Sequence, residues 1–405
     1  MRITTVFRKL LSLQAALVRG VQFTAKAVLV TVARRAQRHI CPKCAFSTMA
    51  GYDSHIATWR HVGLGKWRVL IRAKVSRLVC PLHGVLTESV PWAAPGSQFT
   101  LDFEDLVAWL TREMNKTAVS RLMRIAWPTV GAIVERVVGR KLDRHRLDEL
   151  FVIGLDEVSY RKGHKYLTVV ADHKSGDPAW IEEGRSQKTL GKFFDELGPE
   201  RSAKIEFVTM DMCAPYIAEV RARAPQAEIV FDPFHVVKLA SEAVHDVRRT
   251  EARDRKGTEE ATVLKGSRWA LLKAPESLTS SEKLSLQNVA ALNARVYRGY
   301  LLKEELRTIY VCGPGAASRH LDAWLAWASR SKLRPFVKLA RTIRKYRAGI
   351  LAAIDLGLSN GRLEGLNNKI GMLKHRAFGF HSAAALIAMI FLCCSKLSLG
   401  LPTLG

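Results

Sequence analysis

Long apolar runs are missing from this chain of 405 residues. The longest, Ala383–Cys394, is well short of the ~20 residues of a membrane-spanning helix and reads as a buried helix. No cleavable leader is expected, since Leu10–Val18 contains Ser and Gln and lacks a small-residue cleavage signal. No glycine-rich phosphate loop occurs, so no nucleotide cofactor is expected. The seven cysteines are odd in number and unevenly spaced, which argues against a secreted disulfide framework. Acidic residues are scarce: 37 Asp and Glu stand against 63 Lys and Arg, a net charge of +26. That excess runs along the chain, so it points to a polyanionic partner, with nucleic acid ahead of a membrane surface or an acidic protein. The expectation is a cytoplasmic, membrane-free protein of two or three domains.

Residues 1–100 read as a β-rich metal-binding region, a short helix followed by strands. Within it, CPKC (41–44) and CPLH (80–83) are tight ligand pairs separated by strand-like sequence. Cys41, Cys44, Cys80 and His83 make a candidate tetrahedral zinc site of the ribbon type. The other reading is reduced cysteines and an incidental His. Trp59 and Trp67 are expected in the small-domain core. Residues 101–148 carry three helical patterns. Leu106, Val107 and Leu110 share a face of the first, KTAVSRLMRIA forms the second, and Thr129 is placed as cap of the third. This is a helix-turn-helix pattern, with the last helix expected in the major groove and Arg121 and Arg124 on phosphates.

Residues 149–250 alternate strand and helix. FVIGLDE, KYLTVVAD and AWIEEGR form a meander; SQKTLGKFFDELG has Leu190, Phe193, Phe194 and Leu197 on one face, with Ser186 capping it and Gly198 ending it. KIEFVTMD, APYIAEVRARA and EIVFD complete the order βββαβαβ, which is expected of a ribonuclease-H-like domain. Residues 251–345 read as a helical insertion, and 346–405 return to the core. The fold class is therefore α+β and multidomain: zinc-ribbon-like and helix-turn-helix modules, then a ribonuclease-H-like mixed sheet interrupted by helices.

Asp156 and Asp211 each close an apolar strand in this reading, on strands that lie side by side in such a sheet. The segment SNGRLEGLNNKIG (359–371) then supplies Glu364 as a third carboxylate, framed by Asn360, Asn367 and Asn368. Three carboxylates from distant segments suit two divalent cations, Mg²⁺ or Mn²⁺, because hard ions take oxygen ligands. The asparagines can orient carboxylates or meet phosphates, and Asn367 and Lys369 join Thr129 among the DNA-binding candidates. Asp232 and His235 form a D-x-x-H: either Asp232 caps a helix, or the pair supports the acids from outside, as Asn360 does. Glu157 is expected on the opposite strand face. Trp269 reads first as core and second as a DNA-stacking residue.

GLDEVSYRKGHKYLTVVAD, VTMDMCAPY, FDPFHVVK and SNGRLEGLNNKIGMLKHRAFGF resemble the DDE transposases of the bacterial ISL-three insertion-sequence family. The resemblance runs over nearly the whole chain. It implies that Asp156, Asp211 and Glu364 are the DDE acids, and it departs at Cys80-Pro-Leu-His83, where the family usually has a second Cys-x-x-Cys. It further implies action on double-stranded DNA, at element ends and target, by cleavage and strand transfer in a homodimer or larger synaptic complex on the bacterial nucleoid. A catalytically silent DNA-binding regulator and a structure-specific nuclease of similar fold are the alternatives.

Overall fold

The computed structural model describes residues 2–377 and 379–401. They form two compact units, 1–143 with 376–405 and 144–375. Among the described residues there are mixed sheets and 17 α-helices.

The first unit opens with α1 (Ile3–Leu11), β1 (Ala16–Phe23), β2 (Ala27–Arg34) and the short hairpin β3 (His39–Ile40) and β4 (Ser47–Thr48). The long hairpin β5 (Asp53–Leu64) and β6 (Trp67–Cys80) follows, then β7 (Gly84–Thr87). The sheet order is β1-β2-β6-β5, with β7 on β6 and a parallel pairing of β2 with β6. Alternation along β6 buries Val69, Ile71, Ala73 and Val75, which pack with Val30 and Trp59. Trp59 meets Trp92 edge-to-face at 5.7 Å. Trp67 departs from expectation: at the β5–β6 turn it is 42% exposed, because a hairpin tip has no layer to cover it.

Three helices come next: α2 (Leu101–Glu113), α3 (Lys116–Met123) and α4 (Trp127–Lys141). Thr100 caps α2 and Asn115 caps α3 through their side chains. Thr129 does not cap α4. That helix starts at Trp127, with Pro128 in its first turn, where a missing N–H leaves nothing unpaired.

The second unit begins with β8 (Val152–Arg161), β9 (Lys165–Asp172) and β10 (Pro178–Glu183). It continues through α5 (Gln187–Leu197), α6 (Pro199–Ser202), β11 (Phe207–Met210), α7 (Ala214–Arg223) and β12 (Glu228–Phe231). The five strands order as β10-β9-β8-β11-β12, antiparallel on the β9 side and parallel from β8 to β12. On α5 the expected face is buried (Leu190, Phe193, Phe194 and Leu197), and Ser186 with Thr189 forms a capping box. The long α8 (Pro233–Asp254) leads into α9 (Glu259–Gly266), α10 (Arg268–Leu272), α11 (Ser280–Leu292), α12 (Ala294–Thr308), α13 (Pro314–Arg330), α14 (Arg334–Lys345) and α15 (Arg347–Asp355). Helix α16 (Gly361–Arg376) returns to the sheet, and α17 (Ala383–Cys394) packs on α2 and α4 in the first unit. No helix among the described residues is long and apolar enough to cross a membrane.

Candidate functional site

Asp156 does not end its strand, as the sequence suggested; it lies inside β8, which runs on to Arg161 because β9 continues to pair with it. What ends nearby is the parallel pairing with β11, whose last pair is Thr209 with Gly154. Two residues further on each chain stand Asp211 and Asp156, at the same level and on the same sheet face. The register continues sideways, since Met210 pairs with Phe231, and this brings Asp232 beside Asp211. Three carboxylates therefore lie side by side across the sheet, Asp211 and Asp232 just past the carboxyl ends of β11 and β12 and Asp156 within β8. The Asp232 place was legible in the sequence, because EIVFD ends in acid as VTMD does.

His235, one turn into α8, draws two of these acids together. Its Nδ1 is 3.0 Å from Asp232 Oδ2 and 2.6 Å from Asp211 Oδ1. Burial alone would depress the imidazole pKa, but the two carboxylates outweigh it and push it up to about 9. The side chains of Asp211, Asp232 and His235 have ligand atoms all within 4.8 Å of one another. Asp156 has its carboxyl pKa raised by burial, with a further rise from the charge of Asp211 against hydrogen bonds from the Glu157 backbone and Asn367. Carboxylates brought together in this way attract positive charge, and the Asp211 and Asp232 oxygens with the His235 nitrogen could hold a divalent cation.

Helix α16 lies along β8. Leu363 covers Gly154, Asn367 donates to Asp156, and the Lys374 ammonium donates to the Ser159 carbonyl. Eleven helical residues rise about 16 Å, and five strand residues advance about the same, so helix and strand keep step. At the helix start, His173 Nε2 bonds the Ser359 carbonyl at 2.8 Å and Arg362 donates to the His173 carbonyl at 3.0 Å. Glu364 is in the first turn and exposed, its N–H bonded to the Asn360 carbonyl. It precedes Asn367 by one turn and lies about 60° round the helix from it. Among the described residues, the Asp156, Asp211 and Glu364 oxygens do not form a 4.8 Å cluster.

Asn360 is buried beside Asp232, giving its N–H to Oδ1 at 3.3 Å, while its side-chain amide has no hydrogen-bond partner among the described residues. Glu157 turns to the other face of β8, toward Arg185 and Tyr216. Lys369 is exposed on α16. Trp269 is not core: it is 58% exposed with the Arg268 guanidinium 4.9 Å from its ring, because Ala270 and Leu271 are the α10 residues that turn inward.

In the first unit, Cys41, Cys44, Cys80 and His83 converge with all ligand atoms within 4.8 Å. The Cys44 and Cys80 sulfurs are 3.5 Å apart, and His83 Nδ1 is 3.5 Å from Cys80 Sγ and 3.9 Å from Cys41 Sγ. Each pair sits on a tight turn closed by a positive-φ residue, Ala45 (φ 60) after one and Gly84 (φ 71) after the other. Burial tends to raise the Cys41 thiol pKa, but N–H groups of residues 43 and 44 and the neighbouring thiols bring it down to about 6. Three thiols and an imidazole converging in this way fit a zinc ribbon and could hold the ion. In the α2–α4 region, Arg121 and Arg124 are exposed, and the backbone carbonyl of Arg124 accepts from Arg60 at 2.9 Å.

A family model described as transposase, for the DDE domain of the ISL3 family, matches residues 153–390. A second, described as the helix-turn-helix domain of transposase family ISL3, matches residues 88–138. The chain belongs to the ISL3 family of transposases. It is 43% identical over 387 residues to the transposase for insertion sequence element IS1557 of Mycobacterium tuberculosis, spanning 87% of this chain and 86% of that one. It is 28% identical over 345 residues to the transposase for insertion sequence element IS1001 of Bordetella parapertussis, spanning 84% and 85%. This transposase thus has a DNA-binding helix-turn-helix, and its DDE domain implies phosphoryl transfer on DNA with a divalent metal.

Proposed function

We propose that this transposase binds the terminal inverted repeats of its own insertion sequence and carries out Mg²⁺- or Mn²⁺-dependent DNA cleavage and strand transfer. The observation that carries the reading is the shared register of Asp156 and Asp211, with α16 laid along β8 so that Glu364 rides one turn ahead of the Asp156 contact. Asp156, Asp211 and Glu364 are the ligand set in this reading, and the strand order is consistent with a ribonuclease-H-like core. Bound divalent cations would supply charge neutralisation and Lewis-acid polarisation at the scissile phosphate, in a two-metal arrangement. The chain's own part is orientation. Asn367 holds the Asp156 carboxylate, and His235 with Asp232 holds Asp211. Glu364, exposed and uncommitted to a hydrogen bond among the described residues, swings in when ion and DNA are present.

Residues 1–100 act as a zinc-binding region and 101–148 as the end-recognition module, with Arg121 and Arg124 on phosphates. Residues 149–250 and 346–375 form the catalytic core around the insertion 251–345, and 376–405 belong with the first unit. Lys369 and Trp269 face DNA as well, and two element ends meet in a dimer or larger complex on the nucleoid. The test is a cleavage assay on labelled duplexes taken from the DNA flanking the gene, with and without Mg²⁺. Metal-dependent nicking at repeat ends followed by joining supports the reading. Binding without cutting indicates a regulator instead, and cutting confined to branched DNA indicates a nuclease.

A further inference from the structure

Arg249 and Arg253 lie one turn apart on α8 and share one helical face, and Lys256 follows in the turn just past the end of that helix. They border an open groove of about 1010 Å³ that also takes in Lys265 of α9, together with Lys332 and Arg334 at the start of α14. All six side chains are exposed. Eight basic residues line the groove against three acidic ones, so it carries a large uncompensated positive charge. Two of the three acids, all but the exposed Asp246, offer little relief. Glu251 is buried and already shared by Arg255, Arg295 and Asn293, and Asp254 pairs with its neighbour Arg253. Among the described residues, no ion pair holds Arg249, Lys256, Lys265, Lys332 or Arg334.

The crowding is felt within the protein: burial first, then the charges of Arg268 and Arg249, pull the Arg248 pKa down. Helix α14 adds to the field, since it starts with Pro335 in its first turn and no side-chain cap, leaving its N-terminal N–H groups to an anion. The apolar lining residues Val247, Ala252 and Leu333 are buried, so the groove has no exposed apolar anchor of the kind a protein partner uses.

We propose that this groove holds the sugar–phosphate backbone of duplex DNA, as a second DNA contact separate from the helix-turn-helix. The proposal rests on the transposase acting on DNA, and it is independent of which acids bind metal. A backbone contact carries no sequence information by itself, so the duplex in the groove is either an element end or the target.

The test uses the full-length protein without added Mg²⁺, so that binding is read apart from cleavage. Affinity for a terminal-repeat duplex and for an unrelated duplex is measured against salt, for the wild type and for the triple variant Arg249→Ala, Arg253→Ala, Lys256→Ala. The expected result is weaker binding of the unrelated duplex, with the slope of log K on log[salt] shallower by ~0.9 for each phosphate the variant fails to neutralise. An equal change for the terminal duplex places the element end in the groove; a change for the unrelated duplex alone places the target there. Unchanged affinity and slope for both would overturn the proposal. A second measurement needs no variant: duplex DNA should shield Lys256, Lys265 and Lys332 of the wild type from acetylation. Shielding by polyglutamate but not by DNA would make the groove a protein-docking site and equally overturn it. Loss of cleavage in an Asp156→Asn protein leaves both readouts unmoved, so the two readings fail separately.

Discussion

Asn367 donates its side-chain amide to the carboxylate of Asp156 across 211 residues of chain. With the seating of Leu363 on Gly154, it ties α16 to β8 and decides where Glu364 can reach.

Asp156→Asn, Asp211→Asn and Glu364→Gln should each lower DNA cleavage by roughly three orders of magnitude or more, because such ligands act as a unit and their losses do not add. Circular dichroism and thermal unfolding should stay close to wild type. Glu157→Gln, on the opposite strand face, should keep most activity. Normal cleavage by the Glu364→Gln protein would remove Glu364 from the site.

Gly154 has no room for a side chain, since a Cβ there would overlap the buried Leu363 methyls. Gly154→Ala should therefore destabilise the second unit by about 1–3 kcal/mol in denaturant titrations and loosen α16. Adding Leu363→Ala should give a double variant more stable than the sum of the two single effects predicts. Strict additivity would mean that the two residues do not press on each other.

Purified protein should carry about one zinc per chain if the Cys41, Cys44, Cys80 and His83 cluster is a structural site. Cys41→Ser should lose the metal and expose the first unit to proteolysis while the five-stranded sheet of the second remains folded. Metal analysis by mass spectrometry decides the matter, and a metal-free wild type after gentle purification refutes it.

His61 gives the first unit a pH dependence. It is buried, and its Nδ1 is 2.8 Å from the hydroxyl of Thr100, whose oxygen also accepts from the Phe103 N–H. The hydroxyl can pair with the neutral imidazole in either tautomer, so the neutral ring is satisfied where it is buried. Desolvation takes the His61 pKa from 6.5 to about 4. The unfolded chain binds the proton more readily, so stability is fully present above pH ~6.5 and falls as pH drops toward ~4, by about 1–3 kcal/mol. His61→Gln should flatten that stretch of the stability–pH curve. Comparing variant with wild type separates the effect from the acid sensitivity of the cysteine cluster.

Local signals were enough for much of this protein. Binary periodicity marked α5 and its buried face, CPKC and CPLH marked the cysteine–histidine cluster, an acid after an apolar strand marked Asp211, and the D-x-x-H spacing marked Asp232 with His235. These features depend on residues close in sequence, so propensity, capping and burial period report them directly. The tertiary structure decided the rest. Strand β8 runs past Asp156 because β9 keeps pairing with it, and a strand's length is set by its partners. Helix α4 starts two residues before Thr129 because Pro128 suits a first turn. Trp269 faces solvent because its neighbours Ala270 and Leu271 occupy the inner side of α10. The alignment of Asp156, Asp211 and Asp232, the hold of His235 on two of them, and the path of α16 over β8 all follow from strand register and close packing. Those are properties of pairs distant in sequence, which no local stretch of residues can specify alone.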